Sequence, residues 1–172
     1  MTPRLDGGAA CLDGSGVTWR IPIEPLVRPL FFVWARLARA KTLGVRAVVL
    51  DDQGRVLLVR HTYVAGWWLP GGGVDAGETC EQALIKELAE EGGVRPTARP
   101  RLLSVHSNDA RFRGDHVLLY RVDTWTPCPA RPAREIAETG WFAPDALPPD
   151  TTPATLRRLA EALSGQSPDP LW

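Results

Sequence analysis

Hydrophobic residues along this chain are concentrated in short runs that predict β-strands separated by polar turns. The runs are 45–50, 55–60, 102–107, 116–122 and 135–142. The first two flank an Asp-Asp-Gln-Gly turn and predict a hairpin of two largely buried strands. The third and fourth flank a polar loop and predict a second strand pair, and the fifth predicts a further strand.

Two other segments show the helical period, one at 79–91 and a closing one at 151–163. Their expected core-facing residues are Leu84, Ile85 and Leu88 in the first and Leu156, Leu159 and Leu163 in the second. Glycines follow the first helix and should end it. The residues after the second helix are expected to be frayed. Strands flanked by helices without strict alternation indicate an α/β fold with a mixed sheet covered on two faces.

A third helix is predicted at about 25–40, inside an N-terminal extension that covers residues 1–41. Its arginines, Arg28, Arg36 and Arg39, fall within about one quadrant, and the remaining surface is apolar. We interpret the apolar face as packing on its own domain or on a second copy of the chain. The alternative is a helix lying on a membrane surface, since it combines apolar bulk and arginines with little length. The main domain is expected at 42–164 and a tail at 165–172.

Composition narrows the class of protein. A chain of 172 residues that is 44% hydrophobic can form one domain with a sizeable core. Lysine plus arginine, 20 residues, equals aspartate plus glutamate, so no net positive charge favours a nucleic-acid polymer. The three cysteines are widely separated, which suits a reducing cytoplasm. No signal peptide and no transmembrane segment are evident.

The candidate chemistry lies in the first predicted helix, which carries Glu87, Glu90 and Glu91. Residues three and four apart share a helix face, so these like charges repel one another. A hard divalent cation would remove the repulsion, because Mg²⁺ takes a few carboxylates and leaves other positions to water and substrate phosphates. The sequence therefore predicts an enzyme that acts on a phosphate compound.

The glycine-rich turn and this helix share a fixed spacing over residues 72–94. The fixed positions are Gly72, Glu78, Lys86, Glu87, Leu88, Glu90, Glu91, Gly93 and Val94. The pattern resembles the Nudix box, and every fixed position matches except the basic one, which is arginine in the family and lysine here. The resemblance implies an α/β/α sandwich around a mixed sheet, with the box as a loop, a helix and a loop at one edge.

The Nudix resemblance implies a metal-dependent hydrolase that uses Mg²⁺ or Mn²⁺. Water would attack a phosphorus of a nucleoside diphosphate linked to another group. Carried over by position, Glu87, Glu90 and Glu91 are the expected metal ligands and catalytic residues, joined by the backbone carbonyl of Gly71. Glu91, or a glutamate outside the box, would assist the attacking water.

Four further box positions are expected to have structural roles: Gly72, Glu78, Lys86 and Gly93. In the family the glutamate at the position of Glu78 pairs with the basic residue of the box. A lysine there is a compact point charge and holds geometry less tightly than the planar fork of arginine. We expect activity to survive this replacement.

Residues outside the box give weaker predictions. Glu135 and Glu138 could supply an extra base or metal ligand, with surface charge as the competing interpretation. Three further residues could contact substrate: Arg111, Arg113 and Trp68. The competing interpretation is solvated loop charge for the two arginines and packing for the tryptophan. The three histidines, His61, His106 and His116, lack ligand spacing and are interpreted as structural.

The substrate is left open as a nucleotide, nucleotide sugar, ADP-ribose or similar compound. The proline typical of ADP-ribose hydrolases and the tyrosine typical of dinucleoside polyphosphate hydrolases are absent, with Asp109, Ala110 and Phe112 in those places. The alternative function is a Nudix-like module that senses a nucleotide without cleaving it. A homodimer is possible, since dimers are common in the family.

Overall fold

Eight strands and two helices make up the part of the chain that the computed structural model describes, residues 40–129 and 135–172. The strands are β1 (Thr42–Val49), β2 (Val56–His61), β3 (Trp67–Trp68), β4 (Val94–Pro96), β5 (Arg101–Ser107), β6 (Asp115–Val122), β7 (Trp125–Pro127) and β8 (Ile136–Phe142). The helices are α1 (Cys80–Glu91) and α2 (Pro153–Ser164). The predicted helix at about 25–40 lies almost wholly outside the described residues. Neither described helix has the length and apolar character needed to cross a bilayer.

The strands of the described residues form three sheets. In the mixed sheet β1 pairs in parallel with β6, from Thr42 opposite Asp115 to Val49 opposite Val122, and β6 pairs with β5 in antiparallel fashion. An antiparallel sheet has the order β3-β2-β8, and β4 pairs with β7. The predicted pairing of 102–107 with 116–122 is therefore confirmed, as is the mixed α/β fold.

Two separate apolar cores show how the helices cover the strands. Side chains alternate along β1, so Val45, Ala47 and Val49 enter the core beneath α1, while Val48 enters the other core. Leu84 and Leu88 fill the first core, and Leu159 of α2 belongs to the second. Strands buried on both faces read as continuous apolar runs, and this is why β1 has the sequence that it has.

The predicted hairpin of 45–50 with 55–60 is wrong as a strand pair. The turn itself exists, with the Gly54 amide donating to the Asp51 carbonyl at 2.9 Å, and a single bridge joins Leu50 to Val56. Beyond that bridge the strands separate into different sheets, β1 beside β6 and β2 between β3 and β8. β2 and the second half of β1 are buried on both faces, and each strand gains a full ladder from a partner distant in sequence.

The expected apolar face of the closing helix is only partly correct. Leu159 is 3% exposed, but Leu156 and Leu163 are 45% and 38% exposed. The buried face instead includes Thr155 and a fully buried arginine, Arg158. The physical reason is a polar network beneath the helix, which occupies the space that leucines would fill.

The expectation of a frayed tail is also wrong. The Ser107 amide donates to the Pro170 carbonyl at 2.8 Å, and the Trp172 amide donates to the Ser107 carbonyl at 2.9 Å. These bonds make a parallel bridge between Ser107 and Leu171 at the end of β5. The tail is ordered because it satisfies backbone groups of an edge strand.

Candidate active site

The glycine loop before α1 runs beside the first strand and fixes where the helix begins. Val45 donates its amide to the Gly72 carbonyl at 2.9 Å, and the Val74 amide donates to the Leu43 carbonyl at 2.9 Å. Gly71 has φ +139°, a conformation that L side chains rarely adopt. Helix α1 then starts at a capping box, in which Thr79 and Gln82 exchange side-chain and backbone hydrogen bonds.

This loop brings backbone directly against two of the box carboxylates. The Gly71 amide donates to Oε2 of Glu91 at 2.8 Å. A Cβ added to Gly72 would lie 2.6 Å from the carboxylate carbon of Glu87, so only glycine leaves that carboxylate in its place. The loop and the helix therefore hold Glu87 and Glu91 at one site.

Both carboxylates line a pocket of about 880 Å³. Of the residues predicted from the sequence, those that line it are Trp68, Gly71, Gly72, Glu87, Glu91, Arg111, Arg113 and Glu135. Glu90 is half-buried and is not among the described lining residues. Glu138 lies on β8, where its carboxylate is 3.8 Å from Nη1 of Arg60, and it does not line the described pocket either.

Burial controls the electrostatics of the two carboxylates. The side chain of Glu91 is only 10% exposed, and desolvation raises its pKa to about 7, although the Gly71 amide and the Arg46 guanidinium oppose the increase. Burial also raises the pKa of Glu87, and the charge of Glu90 adds to that increase. The site thus holds carboxylates that lack enough positive charge around them.

Two pocket residues, Arg46 and His61, were missed as site residues from the sequence. Arg46 donates through Nη1 to the carbonyls of Leu69, at 3.0 Å, and of Gly71. The feature of the sequence that could have identified Arg46 is a charged residue within the apolar run 45–50. His61 follows the apolar run of β2, and its Nδ1 is 3.9 Å from Oε1 of Glu91. Burial lowers the pKa of His61, so this contact joins a neutral ring to the carboxylate.

Lys86 reaches from the middle of α1 back to the loop. Its Nζ donates to both carboxylate oxygens of Glu78, at 2.9 and 3.1 Å, and to Asp75 at 3.2 Å. These hydrogen bonds, Glu78 first, raise the pKa of Lys86 above its usual value. A lysine in place of the box arginine thus still ties the loop to the helix.

Among the described residues, no three carboxylate, imidazole or thiol groups converge closely enough to hold a metal ion. Mg²⁺ does not need such a cage, since it is often bound by one or two carboxylates together with water and substrate phosphates. Two partly buried carboxylates with raised pKa values, beside a glycine cradle that a Cβ would fill, match that donor set. The residues present therefore fit a divalent cation.

The raised pKa of Glu91 predicts how the stability of the metal-free protein changes with pH. An unfolded glutamate loses its proton near pH 4.5, whereas Glu91 in the fold keeps it until about pH 7. Between these values the folded state binds more protons, so the free energy of unfolding should fall as pH rises, by up to about 3 kcal/mol. It should then level off above pH 7.

Urea unfolding at pH 5 and pH 8 in the presence of a chelator would measure this change. Glu91→Gln cannot ionise, so its stability should depend less on pH than that of the wild type. Parallel pH profiles for the two proteins would contradict the assignment of the raised pKa to Glu91.

The fold and the pocket together define a class: an α/β protein whose acidic loop–helix element faces a pocket suited to a phosphorylated ligand. The family model for the NUDIX domain matches residues 40–163. The chain belongs to the Nudix family and is a Nudix-type pyrophosphohydrolase.

Relatives support this assignment and differ in their named substrates. A Bacillus subtilis (strain 168) protein named "Putative 8-oxo-dGTP diphosphatase" is 30% identical over 124 residues, which cover 72% of this chain and 81% of that one. A MutT NUDIX hydrolase from Burkholderia pseudomallei is 32% identical, with a TM-score of 0.58 and coverage of 69% of this chain and 95% of that one. An ADP-ribose pyrophosphatase from Streptococcus suis is 26% identical, with a TM-score of 0.50 and coverage of 76% and 96%.

Proposed function

We propose that this chain is a divalent-cation-dependent hydrolase that cleaves a phosphoanhydride bond in a nucleoside diphosphate linked to another group. The observation that carries the proposal is the pair of partly buried carboxylates, Glu87 and Glu91, in a pocket that also contains Arg111 and Arg113. Carboxylates that favour a cation and arginines that favour phosphate oxygens match the two halves of a metal–polyphosphate ligand.

The cation, Mg²⁺ or Mn²⁺, would be held by Glu87 and Glu91, with Glu90 from the same helix. The Gly71 carbonyl accepts a hydrogen bond from Arg46 and keeps a second lone pair for the cation. When bound, the cation would neutralise phosphoryl oxygens and make water a better nucleophile.

The residues of the chain would orient the substrate and take a proton from the attacking water. In the metal-free site burial raises the pKa of Glu91 to about 7, and a bound cation would lower that pKa and keep the carboxylate ionised and able to accept a proton from water. The Gly71 amide fixes Oε2 of this carboxylate, and Oε1 lies 3.9 Å from Nδ1 of His61. The guanidinium of Arg111 lies over the Trp68 ring at 5.5 Å, so the tryptophan holds the arginine at the rim, where a phosphate would arrive.

Nucleotides are the favoured substrate class. Nucleoside triphosphates are supported by the name of the Bacillus subtilis relative, and ADP-ribose by that of the Streptococcus suis relative. The absence of the proline typical of ADP-ribose hydrolases favours the triphosphates. Each of these compounds contains the same core, a nucleoside diphosphate with a further group on the terminal phosphate.

A screen of substrates with Mg²⁺ and Mn²⁺ tests the proposal. Nucleoside triphosphates, ADP-ribose, nucleotide sugars and dinucleoside polyphosphates would each be incubated with the full chain, and products separated by ion-exchange chromatography. We expect metal-dependent release of a nucleotide from at least one class. Tight nucleotide binding without hydrolysis in any class would instead assign the chain to the nucleotide-sensing alternative.

A further inference from the structure

The tail, residues 165–172, is held by buried side chains that come from distant parts of the chain. Nδ1 of His106 lies 2.6 Å from the Asp169 carbonyl, and Nε2 lies 2.6 Å from the Ser104 hydroxyl. Nδ1 also contacts Nη1 of Arg158, so the imidazole lies between the tail carbonyl, the serine hydroxyl and the guanidinium. The amide of the same residue, Asp169, donates a hydrogen bond to Oε1 of Glu161 at 3.0 Å.

Arg158 completes this socket, which we define as His106, Arg158 and Glu161. Its guanidinium donates to the Leu171 carbonyl at 3.0 Å and to Oε1 of Glu161 at 2.7 Å. Arg158 and His106 are both 0% exposed. Burying an arginine is costly unless its hydrogen bonds are satisfied, and here the tail backbone supplies one of those acceptors. The socket therefore fixes the position of the tail.

The tail extends the mixed sheet and lies far from the glycine loop. Across the sheet, the glycine loop pairs with β1 through the bridge between Gly73 and Gly44. β1 is followed by β6 and then β5, and β5 pairs with the tail through Leu171. Four strand spacings separate the two ends, or roughly 19 Å of backbone. Both ends contribute to the same pocket.

Trp172 is the tail residue that lines the pocket. The socket holds its indole from two sides: the His106 ring meets it edge-on at 5.5 Å, and the Arg158 guanidinium lies over it at 5.5 Å. The pocket thus has carboxylates at one end and, at the other, a tryptophan whose ring is held by the socket and packs in part on the second apolar core. A polyphosphate suits the first end, and a planar aromatic group suits the second.

Resting on the function proposed above, we propose that Trp172 recognises the nucleobase of the substrate by stacking, and that the socket positions its ring. Stacking is tolerant of base identity because every base has a flat face. The tail therefore gives affinity for nucleotides over base-free polyphosphates, while neighbouring polar residues of the pocket are left to distinguish one base from another.

Trp172→Ala in the full chain tests this role. Calorimetric titration with a non-hydrolysable nucleoside triphosphate analogue should show affinity about tenfold or more weaker than for the wild type. Binding of inorganic tripolyphosphate, which has no base, should be unchanged. Trp172→Phe keeps an aromatic ring and should restore most of the nucleotide affinity. Leu171→Ala is the matched control, since this neighbouring side chain is 63% exposed and does not line the described pocket.

The outcomes separate this inference from the proposed hydrolysis. Equal nucleotide affinity of the wild type and Trp172→Ala overturns the role of Trp172, and so does the absence of nucleotide binding by the wild type. A lower melting temperature with unchanged nucleotide affinity would make the tail purely structural and would likewise overturn it. Binding that depends on Trp172 without hydrolysis of any nucleotide would count against the proposed catalysis alone.

Discussion

Replacing Glu91 with Gln should lower kcat by about two to four orders of magnitude, the usual contribution of a positioned general base. Glutamine is close in shape, and its carbonyl oxygen can still accept the 2.8 Å hydrogen bond from the Gly71 amide. What it loses is the charge that would attract a cation and the ability of the carboxylate to accept a proton from water. Steady-state rates at saturating Mg²⁺ would measure the effect.

Glu81→Gln is the matched control for this variant. It makes the same chemical change on the same helix, at a residue whose carboxylate pairs with Arg99 at 2.7 Å instead of entering the pocket. We expect its kcat to match that of the wild type. If Glu91→Gln retained kcat within about tenfold, Glu91 would not be the base, and Glu135, which also lines the pocket, would be the next residue to test.

The positions of the strands could be predicted from the sequence, but the choice of partners could not. An apolar run shows that a strand is buried, and a turn shows that the chain reverses. Neither feature says whether the strand after the turn pairs with its neighbour or with a more distant one. β1 and β2 illustrate this: they are neighbours in sequence and a single bridge joins them, yet β1 pairs along its length with β6.

The core-facing residues of the closing helix show a second limit. The leucines of α2 have helical spacing, yet the buried face includes Arg158, and two of the three leucines are exposed. A buried arginine makes sense only once its partners are known, and these are His106, Glu161 and the backbone of Leu171. The first and last come from segments that the helical period does not describe.

The site itself divides along the same line. The acidic end could be predicted because one continuous segment supplies the loop, Glu87 and Glu91 at a fixed spacing. Arg46 left only one signal, a charge within an apolar run, and Trp172 left none, because it reaches the pocket through the socket. Local spacing therefore predicts the acidic end of the pocket, whereas the residues at its other end are brought together by contacts between distant segments.

Gly72→Ala should lower kcat by about 100-fold while the protein remains folded. A Cβ at this position would lie 2.6 Å from the carboxylate carbon of Glu87. The side chain can swing away, so the fold survives, but a catalytic group displaced by about 1 Å typically costs about that factor in rate. Gly73→Ala is the matched control, because nothing lies within 4 Å of its added Cβ.

Rates with Mg²⁺ and melting temperatures would be measured for both alanine variants. We expect Gly73→Ala to keep wild-type kcat and both variants to keep cooperative unfolding. The comparison isolates the carboxylate, because the two glycines are adjacent and receive the same methyl group. Wild-type kcat in both variants would show that the position of Glu87 beside the loop does not matter for catalysis. Glu91 would then have to act with a cation held elsewhere.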